Sequence, residues 1–145
     1  MAKLPGTRFV QDNESISRKG VLRGLHFQKP PFAQGKLVRV PYGRALDVVV
    51  DLRTNSKTYG KHYTVEISAA NHKMLWVPEG FAHGFQALSD DCELIYHHSQ
   101  FYTPGAEGGI KYNDTKVKVY WPLPVTNISE RDNRHELLND NFKGI

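Results

Sequence analysis

The sequence predicts an all-β protein, a sandwich or barrel, and three observations carry that expectation. Short runs rich in Val, Ile, Leu and aromatic residues recur along the chain at close spacing. Turn clusters close them: Lys29-Pro30-Pro31, Pro41-Tyr42-Gly43, residues 55–60, Pro78-Glu79-Gly80 and residues 89–91. No stretch before Glu130 places its apolar residues at the three-and-four spacing of a helix face. At 145 residues the chain is expected to form a single domain over residues 1–145, with a core that needs no disulfide or metal staple.

The elements follow in order. Residues 1–19 are polar, with Gln11, Asp12, Asn13, Ser15 and Ser17 in near alternation, and read as an edge strand or a docked N-terminal arm. A strand pattern starts at Val21 and must stop at Lys29-Pro30-Pro31, because proline has no N–H to give a ladder. It resumes over 36–40, and Pro41-Tyr42-Gly43 marks the next turn. Residues 44–52 alternate, with Asp47, Val49 and Asp51 on one face and Leu46, Val48, Val50 and Leu52 on the other. Two aspartates on one face need partners or water. Residues 62–67 alternate again, and 74–77, 81–88 and 92–98 read as further strands. Residues 102–109 read as a loop, 117–121 as a last strand, and the tail from Glu130 has the only helix-like composition.

Bulk properties narrow the function. The net charge is +4, but the basic residues are dispersed, so a nucleic-acid partner is not expected, while a small phosphorylated ligand suits the balance. The single cysteine, Cys92, cannot form an internal disulfide, and the first residues lack an apolar signal core, which points to a reducing, cytoplasmic setting. No apolar run is long enough to span a membrane.

Chemistry concentrates between Gly20 and Val40. Arg23, His26 and Lys36 stand among Val21, Leu22, Leu25, Phe27, Leu37 and Val38. Histidine exchanges a proton near neutral pH, lysine neutralises an oxyanion, and arginine grips phosphate with a planar fork of donors. The stretch therefore reads either as the floor of an active site acting on an anionic substrate, or as a strand pair with a satisfied core histidine and snorkelling basic side chains.

Pro78-x-Gly80-x-x-His83 resembles the second half-motif of the cupins, which are double-sheet jelly rolls. In the first half-motif, Gly20 precedes His26 at the expected spacing, but Phe27 and Gln28 replace the remaining pattern and Gln34 stands near the glutamate position. His26 and His83 alone are a poor ligand pair for a transition metal, so the expectation is a metal-free cupin; a site rebuilt from His72, His97 or His98 is the alternative.

Four linked motifs extend the resemblance: Gly20-Val-Leu-Arg-Gly-Leu-His-Phe-Gln28, Gln34-x-Lys36-Leu-Val-Arg-Val40, Asp47-Val-x-Val-Asp51-Leu-Arg53 and Val77-Pro-Glu-Gly-Phe-Ala-His-Gly-Phe85. With Tyr96, Phe101-Tyr102, Glu107-x-Gly-Ile110, Asn113-Asp114, Trp121-Pro122 and Ser129-Glu-Arg-Asp132, the chain from Gln11 onward resembles the dTDP-4-dehydrorhamnose 3,5-epimerase family. The resemblance implies a cupin-type jelly-roll barrel of two antiparallel sheets with a short helical or irregular C-terminal tail. It implies a homodimer that needs no cofactor and inverts carbon 3, carbon 5 or both of a nucleotide-diphosphate 4-keto-6-deoxy sugar. Carried over by position, His26 is the base, Asp132 its partner, Lys36 the enolate stabiliser and Tyr96 the acid. Gln11 and Asn13 fall near the nucleotide, and Arg23 and Arg131 near the diphosphate. His83 reads either as a group behind the reacting residues or as a hydrogen-bonder to the substrate, with Asp47 or Asp51 the expected orienting partner.

Against the family pattern the sequence begins near the end of a longer N-terminal region, and it departs in His97-His98 after Tyr96, in Tyr112 for tryptophan and in Thr115 for proline. A single-site epimerase or ketoisomerase on another nucleotide sugar, and a non-catalytic sugar-nucleotide binding protein, are the competing readings. A metal-dependent cupin oxygenase comes last.

Overall fold

The structure, a computed structural model, describes Leu4 and residues 6–145; the very start of the expected N-terminal arm lies outside the described residues. Among the described residues nine strands run β1 (Gln11–Ser17), β2 (Leu22–Gln28), β3 (Lys36–Tyr42), β4 (Arg44–Asp51), β5 (His62–Ser68), β6 (Met74–Val77), β7 (Phe81–Ala87), β8 (Cys92–His98) and β9 (Glu107–Gly109), followed by one short helix, α1 (Glu130–Asn133). They form two antiparallel sheets, a four-stranded one in the order β1-β8-β3-β6 and a five-stranded one in the order β5-β4-β7-β2-β9. This is the jelly roll that the turn spacing and the cupin half-motif predict. No helix among the described residues is long and apolar enough to cross a membrane.

Two apolar layers explain the patterning. Between the sheets lie Val38, Val40, Ala45, Val49, Ile67, Phe85, Cys92 and Leu94. On the outer face of the five-stranded sheet, Leu25, Val48, Val50, Leu52 and Ala82 are covered by Ile110, Val117 and Leu138, with Trp121, Phe142 and Ile145 at the margin. The central strands β2, β4 and β7 are thus buried on both faces, which is why apolar residues occupy both phases of β4.

The C-terminal third is a cover laid over the sheet. Residues 117–121, expected as a strand, are irregular. Asp114 takes the Val117 and Lys116 amides on Oδ1, each at 2.8 Å, and Lys118 sits at φ 57°, so the segment turns where a ladder would require extension. Residues 107–109, read from sequence as loop, form β9 beside β2. Pro41, expected in a turn, lies within β3; the pairing with β6 ends at Arg39 and the register against β8 shifts between Arg39 and Tyr42, so no ladder needs the missing N–H.

Both β4 aspartates find partners. Asp51 is 2 % exposed and accepts from the Arg53 main-chain N–H at 3.0 Å, from its guanidinium at 3.0 and 2.9 Å, and from the Ser56 and Thr58 hydroxyls at 2.6 and 2.5 Å. The Arg53 guanidinium, against the opposing effect of burial, holds this carboxyl far below the usual carboxylate range. Its contribution to stability is therefore complete above about pH 4 and drains away as the pH falls toward the folded value. Asp51→Ala is expected to cost about 1–2 kcal/mol in urea unfolding at pH 7, because the hydrogen bonds to the loop are lost while the half-exposed Arg53 is left to solvent. A loss below about 0.5 kcal/mol would show the loop to be held by other means.

Candidate active site

His26 owes its position to a close approach of β2 and β7. A Cβ added at Gly24 would lie 2.6 Å from the Gly84 Cα, and one at Gly84 2.5 Å from the Arg23 carbonyl oxygen, so only glycine permits the two strands this contact. Gly24 has φ 119°, and the β2–β7 register shifts between Arg23 and His26. The irregularity aims the imidazole into the space between the sheets.

Behind His26 stands Asp132, 2 % exposed, delivered by α1. Ser129 caps this short helix by accepting the Asp132 N–H at 3.1 Å. The carboxylate meets His26 Nε2 with Oδ1 at 2.5 Å and takes the Gly24 N–H on Oδ2 at 3.1 Å. Burial works to raise the Asp132 pKa, but the hydrogen bond and charge of His26, with the Gly24 N–H, outweigh it and hold the group below its ordinary value. Asp132 is therefore an anion locked against the back of the ring.

The same arrangement occurs a second time. His83, on β7 and 3 % exposed, places Nε2 2.6 Å from Asp47 Oδ1. Of the two aspartates expected as its partner, Asp47 is the one in contact; Asp51, at the end of β4, is taken up by Arg53, Ser56 and Thr58 of the following loop.

The opposing wall comes from the four-stranded sheet. Lys36 on β3 and Tyr96 on β8 face the histidines, and the Tyr96 ring lies edge-on to His83 at 5.7 Å between centroids. Removal from water presses the Lys36 pKa down to about 8, against the opposing pull of Glu107 and Asp47. Burial, reinforced by the Asp47 carboxylate, raises the Tyr96 phenol well above its ordinary value, so it is a proton carrier that holds its proton tightly.

These groups surround one cavity of about 350 Å³, a volume fit for a small ligand. His26, Lys36, Tyr96, His83, Arg23, Arg131, Gln11 and Asn13 all line it; Asp132, the remaining residue expected from sequence, sits directly behind His26. Glu107 and Tyr102, to which sequence reasoning gave no role, and His98, which it weighed only as an alternative metal ligand, line it too. Glu107 Oε2 accepts from Arg131 at 2.9 Å and from the Tyr102 hydroxyl at 2.8 Å, fixing the arginine at the rim. Only its place in a quoted motif could have flagged it. Of the departures noted after Tyr96, His97 turns outward to Asp12 at 2.6 Å, while His98 faces the cavity; Tyr112 and Thr115 do not line it.

A cupin metal set does not fit these residues. His26 and His83 direct Nε2 to carboxylates, and the amides of Gln28 and Gln34 donate to the Phe32 and Gln100 carbonyls, each at 2.7 Å. His72, His97 and His98 form no cluster; the group of metal-capable donors among the described residues is His26, Asp132 and His135, within 4.8 Å of one another.

A jelly roll whose cavity joins two carboxylate-held histidines to a lysine and a half-buried tyrosine defines a cupin-type protein equipped for acid–base chemistry. The sequence model of the dTDP-4-dehydrorhamnose 3,5-epimerase family matches residues 1–140. The chain belongs to that family. It is 51 % identical over 124 residues to the dTDP-4-dehydrorhamnose 3,5-epimerase of Shigella flexneri, across 86 % of this chain and 68 % of that one. The crystal structure of the Elizabethkingia anophelis epimerase superposes with a TM-score of 0.90 at 46 % identity, covering 93 % of this chain and 75 % of the other. That of the Legionella pneumophila enzyme, in complex with dTDP-4-keto-L-rhamnose, gives 0.88 at 44 % identity over 92 % of this chain and 71 % of its own.

Proposed function

We propose that this protein is a cytoplasmic, single-domain epimerase that inverts carbons 3 and 5 of dTDP-4-keto-6-deoxyglucose. One observation carries the reading: a carboxylate-locked His26 on one sheet looks across a small cavity at Tyr96 on the other, with Lys36 beside the tyrosine's strand. The carbonyl at carbon 4 acidifies the protons on its neighbours. His26 removes one, Asp132 stabilises the imidazolium that results, Lys36 neutralises the enolate oxygen, and Tyr96 returns a proton from the opposite face. Inversion needs an acid and a base on opposing walls. His83, fixed by Asp47, contacts the sugar.

The cavity rim supplies the rest of the substrate site. Gln11 and Asn13, joined side chain to side chain at 2.9 Å on β1, lie toward the nucleotide. Arg23, with Nε 3.3 Å from Ser17 Oγ, and Arg131, braced by Glu107, receive the diphosphate. Arg23→Lys is expected to raise KM about tenfold with kcat nearly unchanged, since a lysine loses the bidentate grip but touches no reacting atom. A defect confined to kcat in steady-state assays would contradict that role. The homodimer belongs to the same reading: β1 and β6 are the open edges of the four-stranded sheet, and sedimentation at micromolar concentration should give twice the chain mass.

The test is proton NMR of dTDP-4-keto-6-deoxyglucose with the protein in deuterium oxide. Loss of the signals of both carbon-3 and carbon-5 protons is the expected result. Exchange at one carbon alone makes the protein a single-site epimerase, and no exchange overturns the proposal.

A further inference from the structure

His98 ends β8, directly opposite Lys36 on β3, and lines the cavity. It is 7 % exposed, and neither Nδ1 nor Nε2 has a hydrogen-bond partner among the described residues. Proton transfer by His26 and Tyr96 leaves it unused. An imidazole buried in this way is an incomplete structure: a neutral ring carries one N–H that seeks an acceptor and one nitrogen that seeks a donor. Packing cannot satisfy either. The Tyr96 ring lies 5.9 Å from it, tilted by 32°, and the Phe85 ring lies beyond, tilted against Tyr96.

Its neighbours define what it can hold. Directly opposed residues of an antiparallel pair keep their Cβ atoms about 5 Å apart, so an oxygen bound by the Lys36 ammonium is within reach of His98. Burial, then the Lys36 charge, then His83, press the His98 pKa down to about 4, and the ring is neutral at physiological pH. A neutral imidazole beside a lysine donates a hydrogen bond without adding a second positive charge to be desolvated.

We propose that His98 is a further catalytic residue, donating its ring N–H alongside Lys36 to the sugar's carbon-4 oxygen as that oxygen becomes an enolate, while its other nitrogen accepts from a sugar hydroxyl. This inference rests on the epimerase reading and adds a second donor to the charge it must stabilise.

The test compares wild type, His98→Ala and His98→Asn in steady-state assays of dTDP-4-keto-6-deoxyglucose, and follows the ring nitrogens of the wild-type protein labelled with 15N-histidine. His98→Ala should lower kcat about 30-fold with KM within about threefold, and His98→Asn, which restores a donor, should recover most of the loss. The keto sugar nucleotide should shift the His98 nitrogens, whereas dTDP alone should leave them in place. An unchanged kcat in His98→Ala, a rise in KM alone, or equal losses in both variants would overturn the role. Nitrogens that ignore the keto sugar overturn it without any variant having to fold. If the wild type exchanges no substrate protons, that result alone defeats the epimerase reading. The nitrogen shifts then decide His98 separately: movement with the keto sugar keeps it as a sugar contact, and stillness removes it.

Discussion

His26→Ala is expected to lower substrate proton exchange about a thousandfold while leaving the fold intact. On the proposed mechanism the magnitude follows from the loss of a positioned general base, an effect of about 10²–10⁴. The fold should survive because the ring is partly exposed to the cavity and its removal empties space already open to ligand. Asp132→Asn should cost a similar factor for a different reason. The amide can still accept the Gly24 N–H, which the carboxylate now takes at 3.1 Å, but it carries no charge to stabilise the imidazolium and can hold the ring in the wrong tautomer. Deuterium incorporation measured by NMR reads both variants directly. Exchange within tenfold of wild type in His26→Ala would move the base elsewhere, with His83 the next residue to test.

Lys36→Met carries the second large effect, a fall in kcat of about 10²–10³-fold with KM little changed, since on the proposed mechanism the ammonium acts on charge that exists only as the enolate forms. The pH profile supplies an independent reading. The Lys36 pKa lies at about 8, so the ammonium is charged below that pH and neutral above it. Turnover should therefore decline as the pH rises through 8. Lys36→Arg keeps the charge at every accessible pH, and whatever activity it retains should lose that alkaline limb. An alkaline limb unchanged in Lys36→Arg would assign the titration to another group.

Much of this architecture is legible in the sequence because β-strand alternation and turn chemistry are local. The runs that became β2, β4, β7 and β8 needed no knowledge of their partners. The errors fall where a distant contact decides. Residues 117–121 have strand composition, but their apolar side chains serve as a lid on the outer sheet face and Asp114 captures their amides. The three residues of β9 look like loop because two are glycine, yet they pair with β2 through their main chain, where side-chain type matters little. The site divides in the same way. His26 and Lys36 stand out as polar groups in apolar strands. Asp132 is an unremarkable polar residue in its own segment and gains meaning only from contact with a residue 106 positions earlier. Glu107 and His98 were named in the sequence but not as groups facing substrate, for the same reason: nothing local marks a side chain as facing a cavity that other strands close.

That 106-residue separation has a kinetic consequence. The Asp132 carboxylate reaches His26 only once the segment around α1 has docked on a β2 already paired with β7, since the Gly24 amide it also accepts from is placed by that pairing. In refolding from denaturant, sheet signals in far-ultraviolet circular dichroism should return ahead of substrate proton exchange, because contacts distant in sequence close late. Enzymatic activity is thus a clock for the last stage of folding, and a chain with every strand in place but α1 still loose would be native by spectroscopy and silent by chemistry.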